Sequence, residues 1–258
     1  MMNTLEQKKE AFARLLTILD ELRTQCPWDI KQNMQSLRHL TIEEVYELAD
    51  GIIKEDLQEI KKELGDVLLH ILFYARIGSE TNDFDIADVI HAQCEKLISR
   101  HPHIYGDVKV ENEEEVRKNW EQLKLKEGNK SVLSGVPNSM PSMIKAMRMQ
   151  EKAAQVGFDW PSGKEVFAKI EEEIEEFKIE VEQGDHEQME KEMGDVLFSL
   201  INYCRHLGIN PESALEKTNV KFRKRFMYIE EQAQAQGKII TDLNLEQMDE
   251  LWNEAKLI

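Results

Sequence analysis

Residues 172–197, EEIEEFKIEVEQGDHEQMEKEMGDVL, contain two groups of acids on either side of a Gly-Asp pair. Apolar residues recur at three- and four-residue spacings, which is the period of an amphipathic helix. A glycine and an aspartate between two such segments are typical of a short connection between antiparallel helices. The stretch therefore predicts helix, turn and helix. On the first helix, the stripe predicted to be buried comprises Ile170, Ile174, Phe177 and Val181.

The same pattern is written twice in the chain. KELGDVLLHILFYAR at residues 62–76 aligns with KEMGDVLFSLINYCR at 191–205, with eight of fifteen positions identical at an offset of 129. The same offset carries EEVYE at 43–47 onto EEIEE at 172–176 and preserves the step of sixteen positions from Glu47 to Glu63 and from Glu176 to Glu192. Self-similarity at a fixed offset indicates a duplicated unit. Because only 12 glycines and 6 prolines interrupt the periodic segments, we predict an all-α fold of two tandem helical-bundle domains.

A change of composition separates the two copies. The segment KEGNKSVLSGVPNSMP, which begins at Lys126, is rich in glycine, serine, asparagine and proline. Such clusters between periodic segments are typical of linkers. We therefore predict an N-terminal domain at 1–126, a linker at 127–139 and a C-terminal domain at 140–258.

Composition disfavours several classes of protein. A formal net charge of -17 repels nucleic acid and anionic lipid. The longest apolar run, Val67–Ala75, is about half of the ~20 residues that a membrane-spanning helix requires. The N-terminal residues have no apolar signal core, and the three cysteines are far apart, without a CxxC pair. We therefore expect a cytoplasmic protein that binds neither membrane nor nucleic acid.

The acids of the paired helices form the strongest candidate site. If the two helices face each other, four carboxylates converge, and like charges so close require a compensating cation. Oxygen ligands without histidine or cysteine favour a hard dication, Mg²⁺ or Mn²⁺. The alternative is that each acid lies on a solvated helix face, although the exact duplication of the pattern weakens that alternative. The candidate metal ligands are Glu173, Glu176, Glu192 and Asp195 in the second copy and Glu44, Glu47, Glu63 and Asp66 in the first.

Basic and aromatic residues could supply contacts to a phosphorylated ligand. Lysine and arginine bind phosphate oxygens, and tryptophan stacks on a base or anchors a helix. The residues of this type in the second copy are Lys169, Lys221, Arg225, Trp252 and Lys256, and those of the possible second site in the first copy are Lys96, Arg100, Trp120 and Lys124. Lys169 has Leu40 as its counterpart, which indicates that the second copy is better equipped.

These motifs together resemble one known family. The combination of EEVYE with KELGD and of EEIEE with KEMGD, preceded by CPWD and VGFDW, is similar to the MazG family of nucleoside triphosphate pyrophosphohydrolases. The likeness extends over residues 5–258. It implies that each half is a helical bundle of the all-α NTP pyrophosphohydrolase type, that the protein forms a homodimer or a larger homo-oligomer, and that bound Mg²⁺ assists hydrolysis of a nucleoside triphosphate to the monophosphate and pyrophosphate.

The resemblance also assigns roles to individual residues. The four acids of each copy would hold the metal with Glu172 in support, and Glu172 or Glu173 would accept the proton of the attacking water. Gln188 departs from the family pattern, since relatives can carry a nucleotide-binding lysine there. Leu40 is consistent with a weak N-terminal site. Two alternatives stay open: a pyrophosphohydrolase restricted to deoxynucleotides or phosphoribosyl-ATP, and a non-catalytic helical regulator that binds nucleotides.

Overall fold

All regular structure in the described part of the chain is helical. The computed structural model describes residues 2–112, 115–116, 119–120, 123 and 131–257, and no strand occurs within these ranges. The chain divides into two compact units, Met1–Lys109 and Val110–Ile258. The prediction of an all-α fold with two tandem helical domains is confirmed. The boundaries of the predicted linker remain a prediction, because residues 124–130 lie outside the described ranges.

The first unit consists of helices that begin at well-formed caps. The side chains of Thr4, Asn33, Asp56 and Asp85 each accept a hydrogen bond from a backbone N–H of the turn that follows, which satisfies donors that a helix start leaves unpaired. Because only residues 54–56 separate the second helix from the third, the two pack as antiparallel neighbours. The elements are α1 (Leu5–Gln25), a 3₁₀ turn (Asp29–Lys31), α2 (Met34–Ile53), α3 (Leu57–Glu80), α4 (Ile86–Arg100) and α5 (Pro102–Tyr105).

The core of the first unit joins three helices. Leu19 of α1, Leu37 of α2, and Leu72 and Phe73 of α3 are each at most 3% exposed and pack together. Burial of a large apolar side chain contributes about 2 kcal/mol. This cluster therefore holds α2 against α3 in a fixed register, and these two helices carry the acids of the first copy.

The second unit repeats the helix pair. Gly184 ends the first helix of the pair with φ of +76°, a conformation that glycine adopts without strain. Asp185 then caps the next helix by accepting hydrogen bonds from the backbone N–H groups of Glu187 and Gln188, so the Gly-Asp pair forms the short connection that the sequence predicted. The elements are α6 (Ser142–Gln155), α7 (Gly163–Gln183), α8 (His186–His206), α9 (Pro211–Ala235), a 3₁₀ turn (Ile240–Asp242) and α10 (Leu245–Glu254).

The buried stripe predicted for α7 is only partly correct. Ile170 is 4% exposed, whereas Ile174 is 36% and Val181 is 49% exposed. The physical reason is that α7 packs mainly against α8, so that side chains turned away from α8 remain uncovered. A second apolar cluster, formed by Ile229 and Ala233 of α9 with Leu251 of α10, holds these two helices together.

A partly exposed ion pair fastens the end of α8 to the segment before α7. Arg205 donates two hydrogen bonds to the carboxylate of Asp159, one of 3.0 Å from Nη1 to Oδ2, and His206 Nε2 lies 3.0 Å from Oδ1. Burial opposes ionisation of Asp159, but the hydrogen bond and charge of Arg205 outweigh it, and the pKa of Asp159 lies below its usual value. The pair therefore stabilises the unit where this carboxyl is ionised.

We expect Asp159→Asn to lower the free energy of unfolding by about 1.5 kcal/mol at pH 7. Because the folded pKa is lowered, this stabilisation is present above the unfolded pKa of about 3.9 and is lost as pH falls through the folded value. Urea denaturation from pH 7 down to pH 3 measures the difference, which should shrink at the acidic end. Asp249→Asn, at an exposed position on α10, is the control. A difference that stays constant or grows on acidification would contradict the ion-pair explanation.

Among the helices that the structure describes, none combines the length and the apolar character that crossing a lipid bilayer requires.

Candidate metal centres

Each unit presents acids from two antiparallel helices toward one another. In the second unit α7 carries Glu173 and Glu176 and α8 carries Glu192. Residues three apart on a helix share a face, and the short connection at Gly184 sets α7 beside α8. One carboxylate oxygen from each of these three residues lies within 4.8 Å of the other two. We refer to this group as the second-unit cluster.

Glu173 is the buried member of the second-unit cluster and is already paired with a cation. Its residue exposure is 6%, and its Oε1 lies 2.7 Å from Nζ of Lys169, one turn earlier on α7. The same ammonium donates a 2.8 Å hydrogen bond to Oε1 of Glu172. These hydrogen bonds, to Glu172 first and then to Glu173, raise the pKa of Lys169 above its ordinary value. Lys169 is therefore positively charged and in direct contact with the cluster.

The first unit forms an equivalent group from α2 and α3. Oxygens of Glu44, Glu63 and Asp66 lie within 4.8 Å of one another, and we refer to them as the first-unit cluster. Burial raises the pKa of Glu44, and the nearby carboxylates of Asp66, Glu47 and Glu63 raise it further. This group is therefore electrostatically strained when all three acids are ionised.

Glu63 is enclosed by protein and only half satisfied. The residue is 0% exposed, and its Oε1 accepts a 2.7 Å hydrogen bond from Lys62, which lowers the pKa of the Glu63 carboxyl. Its other oxygen, Oε2, is buried and has no hydrogen-bond partner among the residues that the structure describes. Buried polar atoms are nearly always paired, so an unpaired carboxylate oxygen inside an acidic group is a position that suits a cation.

One acid from each predicted set of four lies outside the cluster. Asp195 on α8 and Glu47 on α2 are exposed and do not join the three oxygens that converge in their unit. Glu47 lines a shallow concavity along α2 together with His39 and Tyr46. The assignment of Asp195 and Glu47 as metal ligands remains a prediction, and neither residue lies far along the helix from its cluster.

The donor set of both clusters fits a hard dication. All converging atoms are carboxylate oxygens, which are the ligands that Mg²⁺, Mn²⁺ and Ca²⁺ take in proteins. No histidine or cysteine joins either group within the described residues, so the sites lack the nitrogen and sulfur ligands that zinc and copper prefer. A cation would supply the partner that Glu63 Oε2 lacks among the described residues. The acidic groups can therefore hold a metal ion.

The predicted nucleotide contacts of the second unit lie on its last two helices. The guanidinium of Arg225 on α9 lies 5.4 Å from the ring centroid of Trp252 on α10, a cation–π distance. Phe222 packs against the same tryptophan, with centroids 5.2 Å apart. Lys221 is exposed one turn before Arg225, and Lys256 donates a hydrogen bond to Asn253. The structure thus brings Arg225 and Trp252 together and leaves both lysines at the surface.

The basic and aromatic residues assigned to the first copy are less closely grouped. Lys96 and Arg100 lie on α4, one turn apart. Trp120 is partly buried and belongs to the second compact unit, although the sequence assigned it to the first copy. Lys124 lies outside the described residues.

Sequence reasoning missed two features near the clusters. Lys62 contacts its immediate neighbour Glu63, and adjacent helical residues are not expected to face each other, so no spacing rule predicts that pair. Thr41 Oγ1 lies 2.7 Å from both His70 Nδ1 and the hydroxyl of Tyr74, which forms a polar connection between α2 and α3. The position of His70 inside the apolar run at Val67–Ala75 was the available signal for its burial.

Comparison with known proteins matches both helix pairs to one domain. The profile of the MazG nucleotide pyrophosphohydrolase domain matches residues 32–105 and 162–228. The first range contains α2 and α3 and the second contains α7 and α8. Every acid of the two clusters therefore lies within a matched range.

Similar proteins cover nearly the whole chain. The nucleoside triphosphate pyrophosphohydrolase of Escherichia coli strain K12 is 41% identical over 252 residues, which is 94% of this chain and 96% of that protein. The nucleoside triphosphate pyrophosphohydrolase/pyrophosphatase MazG of Thermotoga maritima is 42% identical over 95% of each chain. The uncharacterized protein YabN of Bacillus subtilis is 47% identical over 95% of this chain and 51% of its own length. The likeness therefore includes both units.

Proposed function

The chain belongs to the MazG nucleotide pyrophosphohydrolase family, and on that premise we propose that it is a Mg²⁺-dependent enzyme that hydrolyses nucleoside triphosphates to the monophosphate and pyrophosphate. The observation that carries this proposal is the convergence of Glu173, Glu176 and Glu192 within 4.8 Å in a matched domain. Two relatives that align over nearly their full length carry pyrophosphohydrolase names. Mn²⁺ has the same preference for oxygen ligands and should replace Mg²⁺.

The carboxylates of α7 and α8 would bind the cofactor and neutralise its charge. Glu173, Glu176 and Glu192 are the proposed ligands, and Asp195 completes the set from the same helix as Glu192. Mg²⁺ held there would supply Lewis acidity to the phosphate oxygens and to the attacking water. The first-unit cluster, with Glu47 beside it, is the proposed equivalent site.

Hydrolysis requires a proton acceptor and a group that stabilises the leaving pyrophosphate. Water attacks the α-phosphorus, its proton passes to Glu172 or Glu173, and the bond from the α-phosphorus to the bridging oxygen breaks with its electrons remaining on pyrophosphate. Lys169 contacts both glutamates and is the proposed cationic partner of the phosphate chain. This arrangement stabilises charge that develops on phosphate oxygens.

The nucleotide is proposed to reach the basic and aromatic residues at the end of the second unit. Arg225 and Trp252 are in contact, with Lys221 and Lys256 nearby in sequence. Arginine and lysine would bind phosphate, and the indole would stack on a base. Lys96, Arg100, Trp120 and Lys124 are the corresponding candidates for the first copy.

Separation of the reaction products tests the proposed activity. The purified protein is incubated with each ribo- and deoxynucleoside triphosphate and with phosphoribosyl-ATP, with and without Mg²⁺, and pyrophosphate is resolved from orthophosphate. We expect pyrophosphate and the monophosphate in equal amounts, and only when the dication is present. Turnover of deoxynucleotides or phosphoribosyl-ATP alone would indicate a restricted pyrophosphohydrolase. Mg²⁺-dependent nucleotide binding without any product would instead indicate a non-catalytic regulator.

We also propose that two copies of the chain assemble into a homodimer through the uncovered faces of both helix pairs. Four residues of the first unit are apolar and at least 36% exposed, and so are the four residues that lie 129 positions later in the second unit. The sequence repeat alone does not require this agreement in exposure. Matching exposed stripes of this kind are typical of self-association. They are Val45, Leu64, Leu68 and Ile71 in the first unit and Ile174, Met193, Leu197 and Leu200 in the second.

Introducing charge into both stripes should dissociate the assembly. We expect the double variant Leu68→Glu/Leu197→Glu to sediment as a single 30.1 kDa chain at concentrations where the native protein sediments as a dimer, because burying the new carboxylates is costly. The control is Leu57→Glu/Leu245→Glu, which alters two leucines that are at least 75% exposed and begin α3 and α10. A native protein that sediments as a monomer would contradict the proposal.

A further inference from the structure

The two clusters differ at one position that decides their charge. Lys169 in the second unit contacts Glu173 at 2.7 Å and Glu172 at 2.8 Å, and only 31% of its side chain is exposed. The equivalent residue in the first unit, 129 positions earlier, is Leu40. Leu40 packs against the apolar core of its own unit. An ammonium group is therefore built into one cluster and is replaced by hydrocarbon in the other.

The lysine that touches the first-unit cluster is placed differently. Lys62 is 60% exposed and contacts Glu63 Oε1 from the rim, while it also approaches Glu59 at 3.8 Å. It leaves Glu63 Oε2 buried and without a partner among the described residues. The counterpart of Lys62, Lys191, pairs with Glu187 and not with its cluster. The inner oxygen of Glu63 thus remains available to a cation.

We propose that Lys169 is a displaceable internal cation, so that the second-unit cluster binds a divalent metal only together with a triphosphate, whereas the first-unit cluster binds a divalent metal without nucleotide. The proposal rests on the proposed function, because it requires a triphosphate site at α7 and α8. It adds a binding order to that site and gives the two clusters different roles.

The physical reason is competition for one carboxylate. A dication ligated by Glu173 would lie within a few ångströms of the Lys169 ammonium, where two positive charges repel strongly in a partly desolvated site. A triphosphate carries several negative charges, and its oxygens can accept charge-assisted hydrogen bonds from Lys169 in place of those that Lys169 donates to Glu172 and Glu173. Nucleotide binding therefore releases the carboxylate for the metal at the same time as it supplies further metal ligands.

Manganese titration of the full-length protein tests the inference without relying on turnover. An α,β-methylene nucleoside triphosphate serves as the uncleaved probe, and loss of the electron paramagnetic resonance signal of free Mn²⁺, corrected by a titration of the same nucleotide without protein, counts the ions bound by the protein. The native protein should bind one Mn²⁺ per chain without nucleotide and two with it. Glu63→Gln should remove the ion that binds without nucleotide. Two bound ions, or none, in the nucleotide-free native protein would overturn the inference.

Replacing the lysine should uncouple metal from nucleotide. Lys169→Met should bind the second Mn²⁺ without nucleotide, with an affinity at least about tenfold above that of the native second-unit cluster. Lys178→Met is the matched control, because Lys178 lies on the same helix and pairs only with Glu175 among the described residues. If Lys169→Met and Lys178→Met both retain the native count, the proposed competition is wrong.

The reverse substitution provides a second, independent measurement. Leu40→Lys places an ammonium group beside the first-unit cluster and should weaken the nucleotide-free Mn²⁺ site at least about tenfold. Circular dichroism confirms that each variant is folded before titration. A Leu40→Lys variant that is folded and retains native Mn²⁺ affinity would contradict the inference.

The product assay separates failure of this inference from failure of the proposed function. If the native protein releases pyrophosphate but binds two Mn²⁺ ions without nucleotide, only the role of Lys169 is overturned. If it binds one ion without nucleotide and two with the analogue, yet releases no pyrophosphate from any triphosphate, the binding order stands and the activity is rejected.

Discussion

Replacing Glu192 by glutamine is expected to reduce the rate of pyrophosphate release about 1000-fold or more while leaving the helix content unchanged. Glu192 is the residue of α8 that meets Glu173 and Glu176 of α7. The amide has nearly the same shape as the carboxylate but lacks its charge, so the proposed metal site loses a ligand that no other residue of the cluster replaces. Metal stabilisation of the transition state is worth several kcal/mol, and each 1.36 kcal/mol is tenfold in rate.

The comparison variant for this result is Glu190→Gln. Glu190 lies two residues earlier on α8, is exposed and does not belong to the cluster. It undergoes the same chemical change, and we expect its rate to stay within about twofold of the native value, since surface substitutions away from a site have small effects. Steady-state kinetics with saturating Mg²⁺ measures both variants. Native turnover by Glu192→Gln would show that the α7–α8 carboxylates are not the catalytic metal site.

Truncating Leu72 to alanine should destabilise the first unit by about 3 kcal/mol. Leu72 is 1% exposed and packs with Leu19, Leu37 and Phe73, and loss of a fully buried leucine removes its transfer free energy and leaves a cavity. Because α3 also carries Glu63 and Asp66, looser packing should weaken nucleotide-free Mn²⁺ binding by the first-unit cluster. Urea denaturation of the full chain measures the stability change.

Hydrogen exchange shows whether the loss of stability in Leu72→Ala is located in α3. Amides of residues 57–80 should exchange faster in Leu72→Ala, because their protection depends on the stability of the unit. Leu57→Ala is the control on the same helix, since Leu57 is 75% exposed and its truncation should cost no more than about 0.5 kcal/mol. Equal effects of the two substitutions would mean that the three-helix core does not hold α3 in place.

The helix pairs were predictable because the sequence repeats their determinants. Identical residues at an offset of 129, the Gly-Asp signal at residue 184 and the scarcity of glycine and proline all predict the same architecture, and local and global signals agree. The extent of burial was less predictable. Ile174 and Val181 lie at helical spacing from Ile170, yet they are exposed, because periodicity identifies an apolar face without specifying what covers it.

The sequence predicted that acids of the paired helices converge, but it did not predict which of these acids lie in the cluster. Sequence spacing gave four equivalent acids in each copy, whereas the structure gathers Glu44, Glu63 and Asp66 in one unit and Glu173, Glu176 and Glu192 in the other. Helical spacing fixes the position of each Cβ atom, but the side-chain rotamer and the neighbouring charges determine the position of the carboxylate group.

The unequal electrostatics of the two clusters could be recognised only in part. The exchange of Lys169 for Leu40 is visible in the sequence, and it correctly drew attention to a difference between the copies. The complete burial of Glu63 and its unpaired Oε2 depend on how α2 packs against α3, which no local pattern specifies. The first-unit cluster is therefore better formed than Leu40 alone suggested.

A crystal of the full-length protein grown with Mn²⁺ and an α,β-methylene nucleoside triphosphate tests the central claim most directly. Anomalous scattering locates manganese independently of any assumption about ligands. We predict an anomalous peak at bonding distance from carboxylate oxygens of Glu173, Glu176 and Glu192, with the phosphate chain bound to the same ion. An anomalous map in which manganese is absent from these three residues while the nucleotide is bound would contradict the account.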